Sequence, residues 1–158
     1  PSIVNMSELL QRARQQAEAL SNGRHAFEWH IDEGLDLLGS AGELTSAVSN
    51  LLTNAVRYTP DGGRITVYWE ADEEGMAHYR VQDTGIGIAA RHIPRLTERF
   101  YRVDRGRSRA VGGTGLGLAI TKHVAMRHDA GLGIESEPGK GSTFSLNFPA
   151  ERVSRAQG

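Results

Sequence analysis

Asn50 and Asn54 lie one helical turn apart and are followed by Arg57 and Tyr58, four side chains whose types and spacing suit a phosphorylated ligand with its cation. An amide oxygen can face a divalent cation, while amide and guanidinium N–H groups donate to phosphate. All four fall in Glu43-Leu-Thr-Ser-Ala-Val-Ser-Asn-Leu-Leu-Thr-Asn-Ala-Val-Arg-Tyr58. At about 100° per residue, Leu44, Val48, Leu51, Leu52 and Ala55 form one apolar arc and the four polar residues form another. If the polar arc faces a ligand, that ligand is a nucleotide with Mg²⁺, and the residue at position 50 decides the fate of the phosphate.

Two glycine clusters carry further chemistry. Asp83-Thr-Gly-Ile-Gly-Ile88 follows an alternating segment. Its carboxylate can accept from an exocyclic amine, and its glycines let backbone approach a flat ring; a plain tight turn uses the same residues. Gly85-x-Gly87-x-x-Ala90 also satisfies a loose dinucleotide pattern, with Asp104 near the ribose-binding position. That reading fails, because Pro94 and an arginine-rich run stand where a helix and a second buried strand are needed. Gly112-Gly-Thr-Gly-Leu-Gly-Leu118 runs into a helical segment whose first N–H groups can meet phosphate oxygens. Gly139-Lys-Gly-Ser lacks the spacing of a Walker A loop.

The elements that must position these residues read as helix, strands, helix, hairpin, helix, hairpin. Ser2–Val4 predicts a short strand and Asn5 or Ser7 a cap for a helix through about Leu20, stopped by Asn22-Gly23. Strands are expected at Phe27–Ile31, Leu35–Leu38, Arg64–Glu70, Met76–Asp83, Leu132–Ser136 and Ser142–Phe148. Helices are expected at Ala41–Tyr58 and from Leu116 to about His128, with Thr59-Pro60-Asp61-Gly62-Gly63 ending the first. This order predicts a two-layer α/β sandwich, a mixed and largely antiparallel sheet with three helices on one face. The irregular stretch of about 84–115 reads as a lid, and 151–158 as a tail.

Composition sets the outer limits. A chain of 158 residues suits one domain, here about 1–150. No apolar run spans a bilayer, no signal-peptide pattern opens the chain, and without cysteine there are neither disulfides nor thiolate metal sites. The abrupt start at Pro1 suggests a fragment. Between Arg91 and Arg109, seven arginines face only Glu98 and Asp104, a local charge of +5 in a chain of net charge −1. Such a run on a mildly acidic body argues for a local anion site, or a solvated face, more than for a nucleic-acid surface.

Taken together, the motifs resemble the catalytic ATP-binding domain of sensor histidine kinases, in the superfamily shared with gyrase-type ATPases and Hsp90 chaperones. Asn50–Tyr58 resembles the N box, Asp83–Gly87 the first glycine box, Glu98–Arg102 the F box and Gly113–Gly117 the second glycine box. The run Ile93–Asp104, followed by arginines, is similar to the phosphate-regulon sensor kinases, which implies a role in phosphate-limitation signalling. The resemblance implies a Bergerat-type fold that binds ATP and Mg²⁺, with Asn54 as metal ligand, Asn50 beside the phosphates, and Arg57 and Tyr58 on the phosphate and ribose side. It implies Asp83 on the adenine amine, Gly85 and Gly87 close to the base, and Thr143 supporting Asp83 or a water between it and adenine. Phe100 would anchor the lid, Arg102 would reach the γ-phosphate, and Gly113, Thr114, Gly115, Leu116 and Gly117 would wrap the phosphates.

The ATP-hydrolysing relatives carry a glutamate base four residues before the metal-binding asparagine. Here that position is Asn50, which has no useful basicity; Glu43 is expected to favour the helix N-terminus instead. The resemblance therefore implies a protein-histidine kinase, with Asn50, Asn54 and Arg102 as its catalytic groups. His25, His30, His78, His92 and His123 lack the acceptor context, and His128-Asp129 is expected to be a surface or C-terminal-turn histidine. The acceptor then lies on a dimerisation domain outside the chain, the cognate response regulator is a further partner, and the domain is cytoplasmic within a protein anchored in the inner membrane. A hydrolytic ATPase of the superfamily and a non-catalytic regulator-binding module are the competing readings.

Overall fold

The computed structural model describes residues 2–88, 90–97 and 117–156. Its elements are β1 (Ser2–Val4), α1 (Met6–Ser21), β2 (Ala26–Ile31), β3 (Leu35–Gly39), α2 (Ala41–Tyr58), β4 (Arg64–Ala71) and β5 (Ala77–Asp83), then a 3-10 turn at Ala90–Arg95. After it come α3 (Gly117–Arg127), β6 (Gly131–Glu137), β7 (Gly141–Phe148), a second 3-10 turn at Ala150–Arg152 and β8 (Val153–Arg155).

Local chemistry sets the helix ends. The Asn5 side chain accepts from Glu8 N to open α1, and Asn22, left-handed at φ 52°, closes it with its N–H on Glu18 O. Between them Met6, Leu9, Leu10, Ala13 and Ala17 form a buried stripe. Ser40 caps α2, and Thr59 ends it one residue before Pro60, where the proline ring disfavours further helix.

Five strands form a sheet in the order β2-β4-β5-β7-β6, with β2 and β4 parallel and the other neighbours antiparallel. A parallel pair needs a crossover, and β3 with α2 supplies it. Along β4, β5 and β7 every second side chain is buried: Ile65, Val67 and Trp69; Ala77, Tyr79 and Val81; Phe144, Leu146 and Phe148. The helix layer covers that face. Trp69 Nε1 donates to Leu35 O at 2.8 Å and Tyr79 OH to Val48 O at 3.1 Å, so the two largest core side chains also satisfy their polar atoms. Among the described residues, the expected mixed, largely antiparallel sheet with three helices is what forms.

Two expectations need correction. A second sheet, β1-β3-β8, stands beside the first. Residues 150–155 are therefore part of the fold and not a tail: β8 pairs with β3, Leu35 opposite Arg155 and Leu37 opposite Val153. Arg155 pairs both its Nη atoms with the Asp32 carboxylate at 2.8 and 3.1 Å, and Arg152 bonds Asp129 and Leu38 O. A three-residue strand shows no alternation of its own, and its partner lies more than a hundred residues earlier. The expected lid is also anchored along its first part. Leu96 is buried after the turn at Ala90–Arg95, and residues 98–116 lie outside the described residues.

Candidate functional site

The polar arc of α2 gathers where that helix meets the start of α3. Asn50, Asn54, Arg57 and Tyr58 are all half-buried. Asn50 Nδ2 donates to Gly117 O at 3.3 Å, and Thr121 Oγ1 donates to the same carbonyl at 2.8 Å. The first turn of α3 thus stands against the arc, with the positive end of its dipole nearby. Among the described residues neither Asn54 nor Arg57 has a hydrogen-bond or ion-pair partner. A half-buried amide oxygen without a partner fits Mg²⁺, which keeps several waters and needs few protein ligands.

Asp83 closes β5 and is buried, at 7% exposure. Its Oδ1 accepts from Gly85 N at 2.8 Å and from Ser142 N at 3.2 Å, while Oδ2 has no partner among the described residues. Burial pushes the carboxyl above its ordinary value, and the two backbone hydrogen bonds pull the other way. One oxygen is therefore fixed in the frame and the other remains available to a donor.

The first glycine cluster is pinned on two sides. Ile86 N donates to Tyr58 O at 3.4 Å, Gly139 N to Ile86 O at 2.7 Å, and Ile88 N to Ser136 Oγ at 2.7 Å. A Cβ on Gly85 would come within 2.6 Å of Tyr58 O. Gly87, at φ +74°, would drive a Cβ into the Glu137 carbonyl. The nearest constraint on Gly87 is therefore the β6–β7 turn.

The sheet register corrects the expectation that Thr143 supports Asp83 directly. The register pairs Asp83 with Ser142 and Gln82 with Thr143, so Thr143 lies on the opposite face from Asp83. Ser142 is the neighbour, and its Oγ lies 2.6 Å from Ser136 Oγ. The period-2 pattern Ser142-x-Phe144-x-Leu146-x-Phe148 carried that information in the sequence. Phe100, Arg102, Gly113, Thr114, Gly115 and Leu116 lie outside the described residues.

Two side chains at the other end of α2 have partners on α3. Glu43 pairs with Arg127 Nε of α3 at 2.7 Å, and that hydrogen bond holds its carboxyl below the ordinary value. His128 lies in the C-terminal turn of α3, one of its two expected places, and at 3% exposure is not a surface group. Its Nε2 lies 3.1 Å from Ser40 N and its Nδ1 2.8 Å from Val124 O.

Comparison with known proteins agrees with this geometry. Residues 39–152 match the family described as histidine kinase-, DNA gyrase B-, and HSP90-like ATPase. The chain is 55% identical to the phosphate regulon sensor protein PhoR of Pseudomonas aeruginosa, over 98% of this chain and 35% of that protein. It is 42% identical to the sensor-like histidine kinase SenX3 of Mycolicibacterium smegmatis, over 91% of this chain and 36% of that one. The chain thus spans about a third of the length of these relatives. In three dimensions it is similar to the mycobacterial sensor histidine kinase MprB, with a TM-score of 0.84 at 28% identity, covering 94% of this chain and 97% of that one. The chain belongs to the histidine kinase-, DNA gyrase B- and HSP90-like ATPase family, and within it is a sensor-histidine-kinase ATP-binding domain.

Proposed function

We propose that this domain holds ATP with Mg²⁺ and delivers the γ-phosphate to a histidine on a dimerisation domain of the same full-length kinase, in phosphate-limitation signalling. The observation that carries the reading is Asn50. It occupies the place of a hydrolytic base one turn before Asn54, and its amide is bonded to Gly117 O. The carboxylate on the same stripe, Glu43, stands seven residues away, roughly 10 Å along the helix, and is paired with Arg127. Water bound near the γ-phosphate therefore meets no base from α2, which speaks against the hydrolytic reading.

The residues divide the work by position. Asp83 takes the adenine amino group on Oδ2, with Ser142 and Gly85 holding Oδ1. Arg57 and Tyr58 line the phosphate and ribose side, and the amides from Gly113 to Gly117 wrap the phosphates. Asn54 is the metal ligand. Bound Mg²⁺ would neutralise charge on the phosphate oxygens. Arg102 reaches the γ-phosphate and Phe100 anchors the lid. The incoming imidazole nitrogen attacks the γ-phosphorus in line, a P–N bond replaces the P–O bond, and ADP leaves.

The full-length protein would be membrane-anchored with this domain in the cytoplasm, and a response regulator would take the phosphoryl group from the histidine. No helix among the described residues is long and apolar enough to cross a membrane. The deciding experiment adds this domain and labelled ATP to a separately made acceptor domain. Label is expected on the histidine and is expected to vanish with Asn54→Ala. Normal transfer by Asn54→Ala would sink the metal assignment, and steady phosphate release without labelled histidine would favour the ATPase.

A further inference from the structure

Ser40-x-x-Glu43 has the spacing of a capping box, in which the glutamate reaches back to the N–H of the capping residue. The chain departs from that pattern. Ser40 Oγ accepts from Glu43 N at 3.4 Å, but the Glu43 carboxylate turns away to Arg127. The Ser40 N–H goes instead to Nε2 of His128.

The two contacts of His128 fix its proton. A backbone N–H only donates, so Nε2 must be bare; a backbone carbonyl only accepts, so Nδ1 must carry the hydrogen for Val124 O. The ring fills the space left by Gly39, where a Cβ would come within 2.6 Å of Nε2. A second proton would set N–H against N–H in a buried site, where the ring has no other hydrogen-bond partner among the described residues.

We infer that His128 is a positioning residue for the nucleotide site: neutral, it fastens the start of α2 to the end of α3, and its protonation releases them. The inference rests on the reading of α2 as the nucleotide helix. The two helices carry a second fastening ten residues along α2, where Asn50 meets Gly117, roughly 15 Å from the first. With both in place the amide arc keeps its register against the phosphate-wrapping start of α3. With the first undone, α3 can shift along α2 and that register loosens.

The charged neighbours do not supply the missing acceptor. Glu43 of α2 is held by Arg127, and Asp129, just past α3, is held by Arg152, which also donates to Arg127 O. His123, one turn before Arg127, is exposed.

The test is a titration with fluorescent ATP and Mg²⁺ from about pH 5.5 to 8, where imidazoles change charge, on the wild-type chain, H128Q, H128A and the control H123Q. Glutamine can accept from Ser40 N–H but takes no proton. Wild type and H123Q should lose about five- to tenfold in affinity toward acid, the size of one lost buried hydrogen bond. H128Q should stay within about twofold of its neutral value, and H128A should be weak throughout. Asp83 titrates in all four, so the ratio of wild type to H128Q isolates His128. An acid loss in H128Q equal to that of wild type would overturn the inference, as would an acid fall in melting temperature without any change in affinity. Should H128A not fold, the wild-type to H128Q ratio decides. If wild type binds no nucleotide at any pH, the reading of the site fails first. The lock is then read from NMR: the Asn50 side-chain and Gly117 amide signals should move with pH in wild type and not in H128Q, and immobile signals would overturn it.

Discussion

The two ends of α2 are built to opposite rules. At the N-terminal end every prominent polar group has a partner: Ser40 Oγ with Glu43 N, Ser40 N with His128, and Glu43 with Arg127. At the C-terminal end Asn54 and Arg57 have none among the described residues, although both are half-buried. A half-buried amide and guanidinium are costly to leave unpaired in a purely structural helix. One end is anchored so that the other can present its polar groups to a ligand without the helix moving. The same contrast separates two aspartates. Asp36 uses Oδ1 to accept from Met6 N and fasten α1, whereas Asp83 fixes one oxygen in the frame and leaves the other open.

The largest effect should come from the open end. Asn54→Ala is expected to reduce phosphotransfer to the acceptor histidine by at least about a hundredfold, with a melting temperature within about 2 °C of wild type. A variant that lost activity only by unfolding would erase the contrast between the ends.

Asp83→Asn comes next, with adenine-nucleotide binding weaker by about ten- to a hundredfold, the worth of a charge-assisted hydrogen bond. Its pH dependence sharpens the point. Burial raises the Asp83 carboxyl, so the folded chain keeps that proton to higher pH than the unfolded chain. Stability from this group is then greatest in acid and falls as pH rises from the ordinary carboxylate value through the raised one. Affinity for an amine donor should rise across the same window, because it needs the charged form. Thermal melts and nucleotide titrations of wild type against Asp83→Asn read both slopes. Parallel slopes would contradict the assignment.

Tyr79→Phe acts at the middle of α2, where the hydroxyl meets Val48 O. Urea unfolding should show a loss of about 1 kcal/mol, with nucleotide affinity unchanged. The smallest effect is expected from Glu43→Gln. That carboxylate is exposed, and its lowered value means its contribution is present at neutral pH and lost as pH falls through the folded value. The melting temperature should drop by about one degree or less, and the difference should vanish in high salt. A drop in nucleotide affinity as large as that of Asp83→Asn would show that the anchored end touches the ligand after all.

Much of this was legible in the chain because it depends on short-range chemistry. The span Ala41–Tyr58 is the helix its apolar period and its Pro60-Asp61-Gly62 stop predict. Asp83 ends a strand where its alternation ends. Ser142 was legible and misread: the parity of Phe144, Leu146 and Phe148 places it, and not Thr143, beside Asp83. At Gly87 the sequence shows the glycine, but the surface that forbids a side chain there is the backbone of Glu137, fifty residues on.

By itself the sequence determined the helices, the strand faces, the polar arc of α2 and the absence of a base at position 50, since these follow from backbone periodicity and side-chain identity over a few residues. Tertiary structure alone decided that Ser40 N–H would meet His128 and not Glu43, that residues 150–155 would close a second sheet on β3, and that Gly117 O would stand against Asn50. Each of those choices joins groups 67 to 120 residues apart, and a hydrogen bond reaching that far is fixed by the packing of whole elements, which no local pattern encodes.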